Sequence, residues 1–195
     1  MIKLTTPLTK EKIRQLHAGD EVLLSGVIYT GRDAAHKRLM ALLDEGKELP
    51  FPLKDQVIFY VGPTPSKPGQ VFGSGGPTTS GRMDAYAPRL IEQGLRSMIG
   101  KGYRQDAVKK AIVENTGVYF GAIGGAGAMM SHCIKECEVI AFDDLGPEAI
   151  RRLVVEDMPL VVIIDSEGND QYEIGRKDYL DALKRLYIVE EIESW

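Results

Sequence analysis

The run Leu160-Val161-Val162-Ile163-Ile164 carries an apolar side chain at every position. A strand with one face in water alternates apolar and polar residues, so an unbroken run is typical of a strand covered on both faces. Residues 57–61 form a second such run. Between the runs lie amphipathic stretches such as Asp106–Asn115, in which apolar residues recur at helical spacing. This alternation predicts an α/β fold with a mixed sheet.

The other predicted elements fill the intervals between these runs. Short segments rich in apolar and β-branched residues predict strands over 20–29, 97–102, 118–120 and 139–142. Helices are expected over 9–16, from the glycine-rich segment 73–84 to residue 93, and over 179–186. Another helix is expected to begin after an N-cap at Asp33, and a further one is expected to have Pro147 in its first turn. A chain of 195 residues can bury one good core, so a single domain over 1–195 is predicted.

Composition argues against two classes of partner. Acidic residues number 28 and basic residues 24, which gives a formal net charge of −4 and no basic surface for nucleic acid. No apolar run approaches the length that spans a membrane, and residues 1–6 lack the apolar core of a signal peptide. We therefore expect a cytoplasmic protein with no nucleic-acid or membrane partner.

The glycine-rich segment 73–84 is the first candidate site. It combines four glycines within nine residues, three consecutive hydroxyl residues from Thr78 to Ser80, and the cation of Arg82. If the glycines turn the chain at positive φ and a helix begins after Pro77, free N–H groups will favour an anion and Thr78 will share a face with Arg82. A solvated loop that only caps a helix explains the composition equally well. Neither a P-loop nor a dinucleotide-binding motif fits, because the lysine-hydroxyl pair and the G-x-G-x-x-G spacing are absent.

Two further cations and a stretch of small residues deserve weight. Arg32 follows a predicted strand, and Lys101 lies between two glycines at the end of another, which are positions where ligands gather in α/β sheets. Taken singly, each is more commonly a surface cation. The small residues 121–128 suit close approach of a ligand or a partner chain, and tight packing explains them as well. His36 is expected to be structural.

The two cysteines, Cys133 and Cys137, cannot complete a metal centre by themselves. Zinc and iron–sulfur sites require three or four ligands, and the C-x3-C spacing is not the C-x2-C of such sites. We expect buried, reduced thiols.

Four segments in order resemble the β subunit of iron–sulfur tartrate dehydratase and the C-terminal domain of class I fumarases. They are Gly31-Arg32-Asp33-Ala34-Ala35-His36, Gly76-Pro77-Thr78-Thr79-Ser80-Gly81-Arg82-Met83-Asp84, Gly100-Lys101-Gly102 and Val155-Glu156-Asp157-Met158-Pro159. The likeness covers nearly the whole chain. It implies a three-layer "swivelling" β/β/α domain that supplies one half of a hydro-lyase active site.

The resemblance also implies the parts of that site. The family's substrate-binding cations match Arg32, Arg82 and Lys101, its proposed catalytic base matches Thr78, and Gly76 and Thr79 become possible loop contacts. The 4Fe–4S cluster is implied to be held by three cysteines of a partner α subunit, in a hetero-oligomer of two α and two β chains. The implied reaction is reversible hydration of a C4 dicarboxylate, with fumarate and malate of the tricarboxylic acid cycle as leading substrates. L-Tartrate, a methylated fumarate, and a non-catalytic dicarboxylate-binding module remain alternatives.

Overall fold

The computed structural model describes residues 1–122 and 127–186. Its strands are β1 (Ile2–Thr5), β2 (Glu21–Thr30), β3 (Val57–Phe59), β4 (Ser97–Gly100), β5 (Val118–Gly121), β6 (Ile134–Ala141) and β7 (Ile150–Ile164). Its helices are α1 (Lys10–Ile13), α2 (Asp33–Asp44), α3 (Ala87–Glu92), α4 (Asp106–Asn115), α5 (Gly127–His132) and α6 (Gln171–Leu186), and two 3₁₀ helices cover Ser80–Met83 and Asp143–Glu148. Half of the small-residue stretch, 123–126, lies outside the described residues.

The described strands form one mixed sheet of seven, in the order β1-β2-β3-β4-β5-β7-β6. Neighbours from β1 to β5 run parallel, and β7 runs antiparallel to β2, β5 and β6. Because β7 pairs with β2 along one edge and with β5 along the other, the sheet folds back on itself. The predicted α/β class with a mixed sheet is confirmed.

Two cores result from this closure, and β3 shows how one sequence serves both. Val57, Phe59 and Val61 pack inside the folded sheet, whereas Ile58 and Tyr60 face the helices α2, α3 and α4. All five are essentially inaccessible to solvent. Burying a side chain of this size stabilises the fold by about 1.5–3 kcal/mol, so neither surface of the strand tolerates a polar residue. The segment 57–61 thus contributes one face to the core inside the folded sheet and the other face to the core between the sheet and the helices.

Several predicted elements differ from the structure for physical reasons. Strand β6 begins at Ile134 rather than residue 139; half of its residues are exposed and only Ile134 is buried, so hydrophobicity does not reveal it. Strand β7 begins ten residues before the predicted strand. The segment with Pro147 forms a kinked 3₁₀ turn, with Gly146 at φ 56°, instead of an α-helix. Helix α6 begins at Gln171, well before the predicted start at residue 179.

No helix within the described part of the chain is both long enough and apolar enough to cross a bilayer.

Candidate active site

Three loops meet where the parallel strands β2, β3 and β4 end, at their carboxyl ends. Strands β2, β3 and β4 are parallel neighbours, so the segments that follow Thr30, Phe59 and Gly100 leave from the same edge. Arg32 follows the first, the glycine-rich segment follows the second, and Lys101 follows the third. Ligand sites in α/β proteins form at the carboxyl ends of strands because several loops converge there.

Arg32 lies partly covered at the start of α2. Its side chain is 22% exposed, and its Nη2 is 3.6 Å from a Glu148 oxygen and 3.8 Å from an Asp33 oxygen. A Cβ on Gly62 would be only 2.8 Å from Arg32 Nη1, so the guanidinium lies over the backbone that follows β3. Arg32 Nε is buried without a hydrogen-bond partner among the described residues. One donor of the guanidinium therefore has no partner within the described residues.

Asp33 is not the N-cap that the sequence predicts. Arg32 occupies the cap position without a side-chain cap, and the free N–H of Ala34 donates to Glu148 Oε2 at 2.9 Å. Glu148 thus caps the helix from a segment more than a hundred residues away. The Asp33 carboxylate instead accepts a hydrogen bond from Arg82 Nε at 2.8 Å.

The pair between Asp33 and Arg82 brings the two predicted arginines together. Asp33 contacts both guanidinium groups, at 2.8 Å from Arg82 Nε and 3.8 Å from Arg32 Nη2. Arg82 uses its Nε for this bond, and its side chain is 54% exposed. A guanidinium held this way can still bind a carboxylate with two parallel hydrogen bonds.

Thr78 and Lys101 are brought close by backbone pairing between loops. Thr78 N donates to Tyr60 O at 2.7 Å, and Ser80 N donates to Lys101 O at 2.9 Å. Thr79 and Lys101 form an isolated parallel bridge. The four predicted residues therefore lie on adjoining loops along one edge, in two groups: Arg32 with Arg82, and Thr78 with Lys101.

The helical premise for this loop is wrong. Thr79 is extended, with φ −58° and ψ 116°, and the 3₁₀ helix begins only at Ser80. Thr78 and Arg82 consequently do not lie on one face of a helix. The backbone of residues 77–79 is extended because it pairs with the ends of β3 and β4, and this tertiary pairing outweighs the local preference for a helix.

The glycines of the loop also serve a different purpose from the one predicted. None of Gly73, Gly75, Gly76 and Gly81 has positive φ. At Gly73 a Cβ would lie 1.9 Å from the Thr64 carbonyl oxygen, so close backbone contact requires glycine there. Gly76 is exposed and has open space where a Cβ would be. It remains a prediction that Gly76 and the exposed Thr79 contact a ligand.

Lys101 is exposed directly after β4, and it forms no ion pair within residues 1–122 and 127–186. Together with Arg32 and Arg82 it makes up what we call the cation cluster. Asp33 and Glu148 offset part of the charge of the two arginines, whereas the ammonium of Lys101 is left to water or to a ligand.

His36 lies beneath the cation cluster and is fully buried. Burial lowers the pKa of His36 to about 4, so the ring is neutral at physiological pH. Its Nδ1–H therefore donates to the Arg32 carbonyl oxygen at 2.8 Å, and the same oxygen accepts the His36 backbone N–H, also at 2.8 Å. The ring packs edge-on against Tyr60. These contacts fit the structural role that we expected for His36.

Arg104 and Asp84 form a buried ion pair below the loops, which the sequence did not predict. Arg104 Nε donates to Asp84 Oδ1 at 2.6 Å, and the two side chains are 0% and 1% exposed. The guanidinium lies over the rings of Tyr60 and Tyr119. Neither spacing nor composition distinguishes these residues from surface charges, since a lone arginine after a turn is usually solvated.

The cysteines differ from expectation in degree. Cys133 and Cys137 are free thiols, half-buried rather than buried, and pack against the inner core. Partial burial raises the pKa of both, so neither is an activated thiolate at neutral pH. In the described ranges no three His, Cys, Asp or Glu side chains are grouped as metal ligands. The part of the chain that the structure describes thus offers no set of ligands for an iron–sulfur cluster.

Comparison with known proteins gives consistent similarity along the chain. The family described as Fumarase C-terminus matches residues 1–175. The anaerobic class I fumarate hydratase of Escherichia coli (strain K12) is 41% identical over 177 residues, covering 88% of this chain and 32% of that protein. A putative class I fumarate hydratase of Geobacillus stearothermophilus is 38% identical over 191 residues, covering 95% of this chain and 36% of that protein.

A third relative is of similar length to the matched region. The putative L(+)-tartrate dehydratase subunit beta of Methanocaldococcus jannaschii is 36% identical over 185 residues, which covers 92% of this chain and 95% of that protein. By contrast, the chain spans about a third of the length of the fumarate hydratases that it matches. The resemblance read from the four sequence segments is confirmed, and the chain belongs to the Fumarase C-terminus family.

Proposed function

We propose that this chain is the β subunit of a two-subunit iron–sulfur hydro-lyase that reversibly adds water to a C4 dicarboxylate, with fumarate and malate as the leading substrates. The observation that carries the proposal is the placement of Arg32, Arg82 and Lys101 on adjoining loops beside Thr78. The similarity to proteins named fumarate hydratase and tartrate dehydratase supports the same reaction class.

The charges of the cation cluster suit a substrate with two carboxylates. Two guanidinium groups linked through Asp33 can bind one carboxylate, and the ammonium of Lys101 on the next loop can bind the other. The Nε of Arg32 is a further donor of this group that has no partner among the described residues. A single anion such as phosphate would leave part of this set without a partner.

The same cations would assist the chemical step. Removal of a proton from the carbon next to a carboxylate places negative charge on that carboxylate, and fixed cations stabilise the charge as it develops. We assign the proton transfer to the Thr78 hydroxyl. A threonine hydroxyl is a weak base by itself. The proposed role therefore requires a cation of the cluster close to the Thr78 hydroxyl, to favour its ionised form.

We assign the iron–sulfur cluster to a partner α subunit. Residues 1–195 contain two cysteines, and a cluster bound through three cysteines needs ligands from outside this sequence. We further propose that residues 1–195 act as one domain, that the assembly contains two α and two β chains, and that it works in the cytoplasm.

A second substrate, L-tartrate, is favoured by one observation. The relative named as a tartrate dehydratase subunit beta aligns over 95% of its own length. Methylated fumarates are related candidates, because one methyl group changes discrimination by only about 1–3 kcal/mol.

The test is anaerobic turnover by this chain co-purified with its candidate iron–sulfur partner, with each protein alone as a control. The proposal predicts fumarate hydration only in the combined sample. If tartrate is dehydrated and fumarate is not, the hydro-lyase assignment stands with the second substrate. If a complex with intact cluster converts no hydroxy-dicarboxylate but binds one, the chain is a non-catalytic binding module and the proposal is wrong.

A further inference from the structure

A buried pair of hydroxyl groups joins the two loops that carry Thr78 and Lys101. Ser80 Oγ lies 2.8 Å from the Tyr119 hydroxyl, and this hydroxyl lies 3.0 Å from the Gly102 carbonyl oxygen. Ser80 is completely buried, and so is the Tyr119 ring. Tyr119 belongs to β5, so a side chain from outside both loops contacts each of them.

The direction of the two hydrogen bonds follows from the protons available. Burial raises the pKa of Tyr119 above its usual range, so the phenol keeps its single proton. A carbonyl oxygen can only accept, so that proton goes to Gly102 O, and the Ser80 hydroxyl must donate to the Tyr119 oxygen. The chain of bonds therefore runs from Ser80 through Tyr119 to Gly102 without an unsatisfied donor.

Gly100, the last residue of β4, leaves room for the contact between Ser80 and Tyr119. A Cβ on Gly100 would lie 1.9 Å from Ser80 Oγ, a separation that atoms do not reach. Any larger residue at position 100 would displace the serine hydroxyl from Tyr119. The absence of a side chain at Gly100 therefore provides the space that the Ser80 hydroxyl occupies.

We propose that the Tyr119 hydroxyl is a positioning residue that fixes Lys101 relative to Thr78 and Arg82, and so sets the geometry of the dicarboxylate site. Lys101 lies one residue before the Gly102 carbonyl, and Ser80 lies between Thr78 and Arg82. The backbone bond from Ser80 N to Lys101 O, at 2.9 Å, is the second connection between the same loops. This inference rests on the proposed function for its catalytic consequence, although the coupling between loops is a property of the structure itself.

Tyr60 provides a matched control. It is also fully buried, lies under the same Arg104 guanidinium, and belongs to the segment after β3. Its hydroxyl is 3.5 Å from Arg104 Nη2, and it forms no hydrogen bond with Ser80 or Gly102 among those of the described residues. Tyr60→Phe and Tyr119→Phe therefore remove the same atom from the same core, and only the second one removes the connection from Ser80 through Tyr119 to Gly102.

The experiment compares Tyr119→Phe, Ser80→Ala, their double variant and Tyr60→Phe in the complex with the iron–sulfur partner. Tyr119→Phe removes both hydrogen bonds, Ser80→Ala removes the one between Ser80 and Tyr119, and each change should lower kcat/KM about tenfold because each breaks the connection between the loops. Because both changes break the same chain of bonds, the double variant should lose little more than either single variant. Tyr60→Phe should stay within about twofold of the parent, since the substitution leaves both loops tied.

Hydrogen exchange at the Ser80 amide supplies a readout that does not depend on substrate. We expect faster exchange at this amide in Tyr119→Phe and Ser80→Ala than in the parent, and parent-like exchange in Tyr60→Phe. Equal activity losses in Tyr60→Phe and Tyr119→Phe would show a general core effect and overturn the proposal, as would fully additive losses in the double variant. If the parent complex turns over no diacid, the proposed function fails, while unchanged exchange in Tyr119→Phe would refute the coupling.

Discussion

Asp33 illustrates how a single side chain organises this site. The sequence places it where a helix cap is expected, yet its carboxylate faces Arg82 and lies near Arg32. A carboxylate between two guanidinium groups reduces their mutual repulsion and limits the orientations that each can adopt. The arginines of the cation cluster are therefore held in position before any ligand arrives.

Thr78→Ala tests the base assigned at this scale. Loss of a general base typically lowers the rate about 10²–10⁴-fold, so kcat should fall by at least about a hundredfold. KM should change little, because we assign binding of the carboxylates to the cation cluster and not to Thr78. The comparison is Thr78→Ser, which retains a hydroxyl and should keep measurable turnover. Equal steady-state parameters for the alanine and serine variants would remove Thr78 from the role of base.

His36 predicts a pH dependence of stability. Its folded pKa of about 4 lies below the ordinary histidine value of about 6.5, so the unfolded chain binds the extra proton first. The contribution of neutral His36 to the free energy of unfolding is therefore fully present above about pH 6.5 and is lost as the pH falls toward 4. Between pH 7 and pH 5 the loss should be roughly 2 kcal/mol, measured by urea denaturation.

The His36→Asn variant isolates that contribution, because an asparagine amide can still donate to the Arg32 carbonyl and does not titrate. The difference in unfolding free energy between parent and variant should therefore shrink as pH falls. A constant difference from pH 7 to pH 5 would mean that His36 is not the titrating group.

Among the secondary-structure elements, the 3₁₀ helix Ser80–Met83 and helix α4 are tied by one carboxylate. Asp84 receives a hydrogen bond from Arg104 Nε at 2.6 Å and another from the Gln105 N–H, at the N-cap of α4, at 2.7 Å. The loop that carries Thr78 is thus fastened to the start of the helix that follows Lys101.

Breaking the Asp84–Arg104 pair should be costly. Removing one member of a buried ion pair leaves an uncompensated charge and typically costs about 3–5 kcal/mol, so Asp84→Asn and Arg104→Met should each destabilise the fold by roughly 3 kcal/mol or more. The double variant should lose less than the two single losses combined, because it contains no orphaned charge. Denaturant unfolding of all four proteins measures this, and strict additivity would show that the two side chains act independently.

The elements that sequence predicted well are those whose side chains face a core on at least one side. Helix α4 was predicted with its observed bounds, since Val108, Ala111 and Ile112 mark its buried stripe. Strand β6 and the first half of α6 are largely exposed, and their residues carry no such stripe. Strand β7 was shortened in the prediction because Asp157 and Pro159 interrupt its apolar pattern.

The structure explains how that strand continues through the interruption. Asp157 has φ 47°, and the neighbouring pairing with β2 shifts register between Leu24 and Gly26. An irregularity of this kind lets a strand bend and accommodate residues that a regular ladder excludes. At the site, the cations could be assigned by resemblance, whereas the contacts made by Asp33, Glu148 and Tyr119 depend on tertiary packing that spacing does not encode.

For the molecule as a whole, the position of the site at the carboxyl ends of β2, β3 and β4 predicts where the proposed iron–sulfur partner would bind. Partner binding should protect the exposed ammonium of Lys101 from acetylation. Lys3 is the matched control, since it is exposed on β1, which pairs with the first half of β2, away from the end that carries the cation cluster. Mass spectrometry of acetylated peptides would measure both, and equal protection of Lys3 and Lys101 would contradict docking at this edge.

The closure of the sheet by β7 has a consequence for synthesis on the ribosome. Strand β2 pairs with residues that are made roughly 130 positions later, from Arg152 to Val161. Until those residues leave the exit tunnel, the β2 edge that will pair with β7 has no partner and the inner core lacks one wall. Such distant pairings slow folding and expose strand edges to aggregation. The edge of β2 therefore stays unpaired until residues 152–161 have been made, and pausing before residue 150 would lengthen that exposure.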